Sequence, residues 1–187
     1  MTSKKEETKK RIIEVTSDLL DSVENPEDIT IRQIAEEAGI GVGLINYHFT
    51  SKEKLMNEVI SIKMESMAGT LEKLEEYKGD PIKYLKEMLI NMSDVAVKNR
   101  RLSKMSIEYD FLKGDFKICL YLLPILREIC KGSKSETNLQ LIAFQIIVAT
   151  QSVFLREEAF HMLTGINIEV KAERDCLIDS IVDNLIK

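Results

Sequence analysis

Apolar residues recur along this chain at the three- and four-residue spacing of amphipathic helices. In the first such segment, residues 9–23, Ile12, Leu19 and Val23 fall on one face before Asn25-Pro26 ends it. No stretch of the sequence alternates apolar and polar residues long enough to predict a strand. The pattern therefore predicts an all-α fold of about nine helices in 187 residues.

Capping residues mark the boundaries of the next helices. Thr30 and Gln33 have the spacing of a capping box, and Gly39 suits the left-handed conformation that follows a helix end. A short helix is predicted over residues 42–48. A long one then begins after Ser51 and runs towards residue 74.

The clearest boundary in the sequence is Lys-Gly-Asp-Pro at residues 78–81. Asp80 can cap the helix that Pro81 begins, because proline fits the first turn of a helix. Beyond it, helices are predicted over residues 81–97, 99–113, 115–130, 136–163 and 168–186. The predicted domains are an N-terminal domain over residues 1–50, a shared linking helix over 51–78 and a larger domain over 79–187.

One predicted helix raises the question of a membrane span, because no charged residue occurs between Glu136 and Arg156. A span needs about 20 mainly apolar residues, whereas polar residues such as Gln140, Gln145 and Gln151 interrupt this stretch. A helix buried on more than one side fits better. We therefore expect a soluble, cytoplasmic protein with no membrane partner.

Catalytic and metal-binding constellations are not visible in the sequence. The three cysteines are widely spaced and give neither a disulfide framework nor a zinc pattern. The only histidines, His48 and His161, have no acid or cysteine at ligand spacing. We expect no metal, no cofactor and no enzymatic activity.

Residues 30–48 have the spacing of a helix-turn-helix motif. Ala35 is small where the two helices cross, Gly39 makes the turn, and Ile40 and Ile45 fill the space between the helices. The second helix of such a motif lies in the DNA major groove. Its outer face must then carry hydrogen-bonding groups and small residues instead of solvating charge.

The candidate DNA-binding residues follow from this interpretation. Glycines allow close approach to DNA, polar side chains can contact bases or phosphates, and Lys52 begins the next helix, where its charge and local amides can hold a phosphate. Asn46 could pair with an adenine edge. The full set is Thr30, Arg32, Gly41, Val42, Gly43, Leu44, Asn46, Tyr47, His48 and Lys52.

The stretch TIRQIAEEAGIGVGLINYHFTSKEKL resembles the N-terminal domain of the TetR family of transcriptional regulators. The matching positions are Thr30, Ile34, Ala35, Ala38, Gly39, Gly43, Ile45, Tyr47, His48, Phe49, Ser51, Lys52 and Leu55. The resemblance covers roughly residues 8–60. The family often has Ser in place of Gly41 and Tyr in place of Asn46, so the bases that are read are not implied.

The resemblance implies a homodimeric repressor that a small-molecule effector releases from a double-stranded DNA operator. Effector contacts are expected in the middle helices, from Met64, Met67, Met88, Met92, Met105 and Tyr109. The last two helices carry more apolar surface than one chain can bury, which suggests a partner. The expected dimer residues are Phe144, Ile147, Gln151, Leu177, Ile178, Ile181 and Leu185.

The alternative is a helical small-molecule-binding protein without DNA binding. Residues 1–58 carry eight Lys and Arg against twelve Asp and Glu, which is unfavourable for binding phosphates. Five of the bases lie in the first eleven residues, either as a solvated end or as an arm that reaches DNA. The methionines could equally be ordinary core residues.

Overall fold

The computed structural model of the chain describes residues 4–23, 25–68, 79–113 and 116–186. Within these ranges every regular element is helical, which confirms the predicted all-α class. They contain eleven α-helices and one short 3-10 helix, slightly more than predicted. The chain divides into two compact units, residues 1–67 and 68–187.

The first unit is built around one buried face of each helix. Its elements are α1 (Lys4–Ser22), a 3-10 helix (Pro26–Asp28), α2 (Ile31–Glu37), α3 (Val42–His48) and α4 (Lys52–Ala68). In α1, Ile12 and Thr16 are fully buried. The Thr16 hydroxyl donates to the Ile12 carbonyl at 2.7 Å, so this buried polar group is not left unpaired. The predicted domain boundaries at residues 50 and 78 remain a prediction, because residues 69–78 lie outside the described ranges.

The turn between α2 and α3 requires a glycine. Gly39 has a φ of +62°, in the left-handed region, and its amide donates to the Glu36 carbonyl at 3.0 Å. A side chain would be strained by this φ. A Cβ placed at Gly39 would also lie 3.3 Å from the Arg11 guanidinium.

The second unit contains more helices than the sequence predicted, because two long predicted helices are each divided. Its elements are α5 (Pro81–Lys98), α6 (Arg100–Lys113), α7 (Lys117–Leu120), α8 (Leu123–Cys130), α9 (Glu136–Leu155), α10 (Glu157–Thr164) and α11 (Lys171–Ile186). Pro124 lies in the first turn of α8, where its missing amide hydrogen costs nothing. Arg156 leaves the helical conformation, with φ −121° and ψ 37°, and separates α9 from α10.

The core of the second unit lies where α5, α8, α9 and α11 meet. Leu85, Leu126, Ile146 and Val182, one from each helix, are fully buried in a single apolar cluster. Asp80 caps α5 as predicted, since its carboxylate accepts the Ile82 amide at 2.9 Å.

By length and composition alone, α9 is the one helix in the described ranges that could span a membrane. Its Ala143 and Ile146 are fully buried against neighbouring helices. Leu141 and Phe144 remain exposed on the other side, at 53% and 39%. Packing thus accounts for part of the apolar character of α9, and an exposed apolar strip accounts for the rest.

An ion-pair network ties α5 to the start of α11. The Asp94 carboxylate accepts hydrogen bonds from Arg174, which is buried, and from Lys171 at 2.7 Å. Burial acts to raise the pKa of Asp94, but the bonds from Lys171 and Arg174 outweigh it and hold the pKa below its ordinary value. The charged form of Asp94 is therefore stabilised in the folded chain.

Replacing Gly39 by Ala should lower the free energy of unfolding by about 1–2 kcal/mol, because a Cβ strains the left-handed backbone. Gly41→Ala is the matched control: its φ is −78° and no atom lies within 4 Å of a Cβ there. Urea unfolding monitored by circular dichroism measures both. Equal stability of the two variants would contradict the conclusion that the turn requires glycine at position 39.

Replacing Asp94 by Asn should destabilise the protein at neutral pH by about 2–3 kcal/mol, because it leaves the buried Arg174 charge without its carboxylate. Since the pKa of Asp94 is lowered by folding, its contribution is present above about pH 4 and is lost as pH falls below that value. The difference between variant and parent should therefore shrink in acid.

Glu87→Gln serves as the control for this experiment, because Glu87 lies on the same helix in an exposed pair with Lys83. It should change stability by less than about 0.5 kcal/mol. Urea unfolding at several pH values measures all three proteins. A difference between Asp94→Asn and the parent that does not depend on pH would contradict the assignment.

Candidate nucleic-acid interface

The helix-turn-helix begins with a complete capping box. The Gln33 amide donates to the Thr30 hydroxyl at 3.2 Å, and the Thr30 amide donates to the Gln33 side chain at 2.8 Å. Ile34 and Ala35 are buried on the inner face of α2, and the Ile40 amide donates to the Ala35 carbonyl at 2.9 Å across the turn. These bonds fix the path of the chain from α2 into α3.

The second helix of the motif, α3, has one buried side. Ile45 is fully buried, and Phe49, which follows the helix, is 2% exposed. Gly41 occupies the N-cap position and, having no side chain, supplies no hydrogen bond to the first amides of the helix. The helix is therefore held by burial at Ile45 and Phe49 and not by its cap.

The other side of α3 is exposed and carries no charge. Val42 and Leu44 are 39% and 40% exposed, and Tyr47 is 66% exposed. Asn46 and Gly43 are exposed as well, and no Lys, Arg, Asp or Glu occurs from residue 41 to residue 48. The surface thus offers apolar tips, one amide and one phenol to a partner.

Glycines leave room for close approach to this surface. A Cβ built at Gly41 or Gly43 meets no atom within 4 Å. Helical periodicity places Gly43 on the side of α3 opposite the buried Ile45. The backbone of α3 can therefore approach a flat or grooved partner more closely than a helix with side chains at these positions.

Two lysines near this surface have partners within the first unit. The Lys52 ammonium, predicted to hold a phosphate, donates to the Glu27 carbonyl at 2.7 Å. Lys5, in the first turns of α1, lies 5.0 Å from the centre of the Tyr47 ring. Sequence reasoning did not single out Lys5; its only signal was the run of bases at the N-terminus, which here is helical from Lys4.

The remaining predicted DNA-binding residues border the same surface. Thr30 and Arg32 are exposed at the start of α2, and His48 is half-buried at the end of α3. The His48 ring packs edge-on against Tyr47, with 5.3 Å between ring centres. The structure therefore brings the predicted residues of α3 to one surface, while their role in DNA binding stays a prediction.

The predicted effector residues are only partly described. The side chains of Met64 and Met67 lie outside the described residues. Met88 is half-buried and packs against the apolar core of the second unit, and Met92, Met105 and Tyr109 are also half-buried. Their role in effector binding stays a prediction.

The predicted dimer residues fall into two groups. Ile147 and Ile178 are 3% exposed and belong to the core of the chain itself. Phe144 is exposed, and Gln151, Leu177, Ile181 and Leu185 are half-buried. The role of all seven residues in a dimer stays a prediction.

The fold of the first unit and the exposed α3 define a helix-turn-helix domain. The sequence signature described as "Bacterial regulatory proteins, tetR family" matches residues 22–59. The chain is 32% identical over 114 residues to the HTH-type transcriptional regulator AcrR of Shigella flexneri, a match that covers 59% of this chain and 51% of AcrR. It is 23% identical to the nucleoid occlusion factor SlmA of Aliivibrio fischeri, over 83% of this chain and 86% of SlmA.

Solved structures share the whole fold. A TetR transcriptional regulator from Rhodococcus sp. has a TM-score of 0.68 at 13% identity, and covers 96% of both chains. RolR in complex with its ligand resorcinol has a TM-score of 0.62 at 19% identity, and covers 97% of this chain and 88% of that one. Residues 22–59 therefore carry the signature of the tetR family, and the chain shares the fold of TetR-family transcriptional regulators.

Proposed function

We propose that the chain is a homodimeric repressor, whose two α3 helices enter successive major grooves of an operator until a small molecule binds the second unit. The observation that carries the proposal is the uncharged, exposed side of α3. A helix face that meets only water normally carries charge. Exposed Val42, Leu44 and Tyr47 beside two glycines suit base edges and thymine methyl groups instead.

Dimerisation sets the distance between the two recognition helices. Successive major grooves on one face of DNA recur every ~34–36 Å, so two α3 helices held at that separation bind together. An exposed apolar strip of the second unit supports such a dimer. Helix α7 packs against α9, and the strip consists of Leu141 and Phe144 of α9 with Phe116, Leu120 and Tyr121 at α7. The ring centres of Phe116 and Phe144 lie 5.3 Å apart. Apolar patches of this kind on a folded chain mark contact surfaces.

Release by an effector requires differential binding. A small molecule that binds better to a dimer with a different α3 separation lowers the affinity for DNA by that difference alone. The half-buried Met88, Met92 and Met105 support a pocket, because methionine adapts to varied apolar ligands. RolR, which has a similar fold, binds resorcinol as a ligand.

Replacing Asn46 by Ala should cost about 1–3 kcal/mol of affinity for the cognate operator and leave non-specific binding nearly unchanged, because it removes a base contact. Arg32→Ala should instead weaken binding to all duplexes alike and lower the salt slope by about one. We choose Arg32 instead of Lys52 as the predicted phosphate contact, because the loss of Lys52 would also remove its hydrogen bond to the Glu27 carbonyl. Fluorescence anisotropy with cognate and scrambled duplexes at several salt concentrations measures both.

Binding of no duplex by the parent protein would favour the alternative, a small-molecule-binding protein without DNA binding. Equal losses on cognate and scrambled DNA for Asn46→Ala would show that Asn46 reads no base. The first outcome contradicts DNA binding itself, and the second contradicts only the role of Asn46.

Leu141→Asp should convert the dimer to monomers and abolish tight operator binding, because it places a charge in the apolar strip. Leu141 is 53% exposed, so the charge is solvated in the monomer and the fold should persist. Met162→Asp is the matched control, an 87% exposed apolar residue on α10, and should leave the dimer intact. Sedimentation velocity measures both; an unchanged Leu141→Asp dimer would exclude this strip as the interface.

A further inference from the structure

The exposed side of α3 carries an unusual selection of chemical groups. Val42 and Leu44 present branched apolar tips, Asn46 presents one carboxamide, and Tyr47 is paired with the Lys5 ammonium. No Arg, Lys, Gln, Asp or Glu is present from residue 41 to residue 48. The selection is therefore poor in the side chains that usually donate to or accept from bases.

Each base offers a different group in the major groove. Guanine is read mainly by Arg or Lys, and the cytosine amino group by Asp or Glu. Adenine is read by Asn or Gln, and the thymine methyl group by apolar side chains. Residues 41–48 carry the side chains of the second pair and none of those of the first, and the Lys5 ammonium from α1 is engaged over the Tyr47 ring.

The glycines bring these short side chains within reach of the bases. Gly43 lies opposite the buried Ile45, and a Cβ there would stand in open space between α3 and a partner. Without it, the backbone can approach until the tips of Val42 and Leu44 touch the groove floor. A helix held further out by a long side chain would need longer residues to read the same methyl groups.

We propose that the operator half-site presents A·T base pairs to α3, with thymine methyl groups packed against Val42 and Leu44 and an adenine paired with Asn46. This inference rests on the proposed DNA-binding function and specifies its target. Arg32 lies on α2 and is assigned above to the phosphate backbone, so it specifies no base of the half-site. The proposal concerns only the base pairs that directly face α3.

The test begins with selection of bound duplexes from a library of random DNA by the full chain. The consensus should place A·T pairs at the centre of each half-site. Each of these thymines is then replaced singly by deoxyuridine, which lacks the methyl group and keeps every hydrogen-bonding group. Loss of a buried methyl group should weaken binding about fourfold at one or two positions.

A variant identifies the side chain that contacts the methyl group. In Leu44→Ala the uracil effect at one position should disappear, while the parent protein retains it. Leu163→Ala, an 82% exposed leucine on α10, is the control and should keep the full effect. Circular dichroism melting of both variants verifies that the fold is unchanged.

The possible outcomes separate this inference from the function on which it rests. A consensus with G·C pairs at the half-site centre, or uracil substitutions without effect, would overturn the thymine assignment while leaving DNA binding intact. Failure to enrich any sequence, with no binding to any duplex at low salt, would overturn the proposed function and the inference together. A uracil effect that persists in Leu44→Ala and vanishes in Val42→Ala would assign all methyl contacts to Val42, contrary to the shared role proposed.

Discussion

A seven-residue helix is not stable alone in water, and α3 depends on the burial of Ile45 and Phe49 in the first unit. Its N-cap gives no help, because Gly41 has no side chain to bond the first amides. The left-handed turn at Gly39 sets the angle at which α3 leaves α2. The burial of Ile45 and Phe49 and the turn at Gly39 together set the orientation of α3, and this orientation decides which side chains face outward.

Because the burial of Ile45 and Phe49 stabilises α3, the residues on its outer side need not contribute to the stability of the fold. That side can carry glycines, which weaken a helix, and exposed apolar residues, which water disfavours. Gly43, Val42 and Leu44 are such residues. The conflict with local stability is what marks this surface as functional, since natural sequences depart from local preference mainly where function requires it.

The second unit combines a continuous apolar core with an ion pair at its periphery. Leu85, Ile146 and Val182 are fully buried at the centre of the helices, while Asp94 joins α5 to Arg174 of α11 at the periphery. Apolar packing is non-directional and permits small shifts between helices, whereas a buried ion pair specifies one register. The pair therefore fixes the position of α11 against α5 within the second unit.

Sequence alone determined the capping box at Thr30, the turn at Gly39 and the bounds of α3, because each depends on residues a few positions apart. It also determined the helical class of the fold. It did not predict the break at Arg156, since no Gly or Pro marks it. Nor could it distinguish the inward Ile147 from the outward Phe144 on a helix that is apolar on several sides.

Only the tertiary structure decided what the lysines near α3 contact. Lys52 bonds the carbonyl of Glu27, and Lys5 lies over Tyr47, although the sequence separates the members of each pair by many residues. Contacts of this kind depend on how whole helices pack, and packing is set by side-chain shape and burial across the unit instead of by local propensity. The sequence therefore determined the elements and the composition of the α3 surface, and the tertiary structure decided what surrounds that surface.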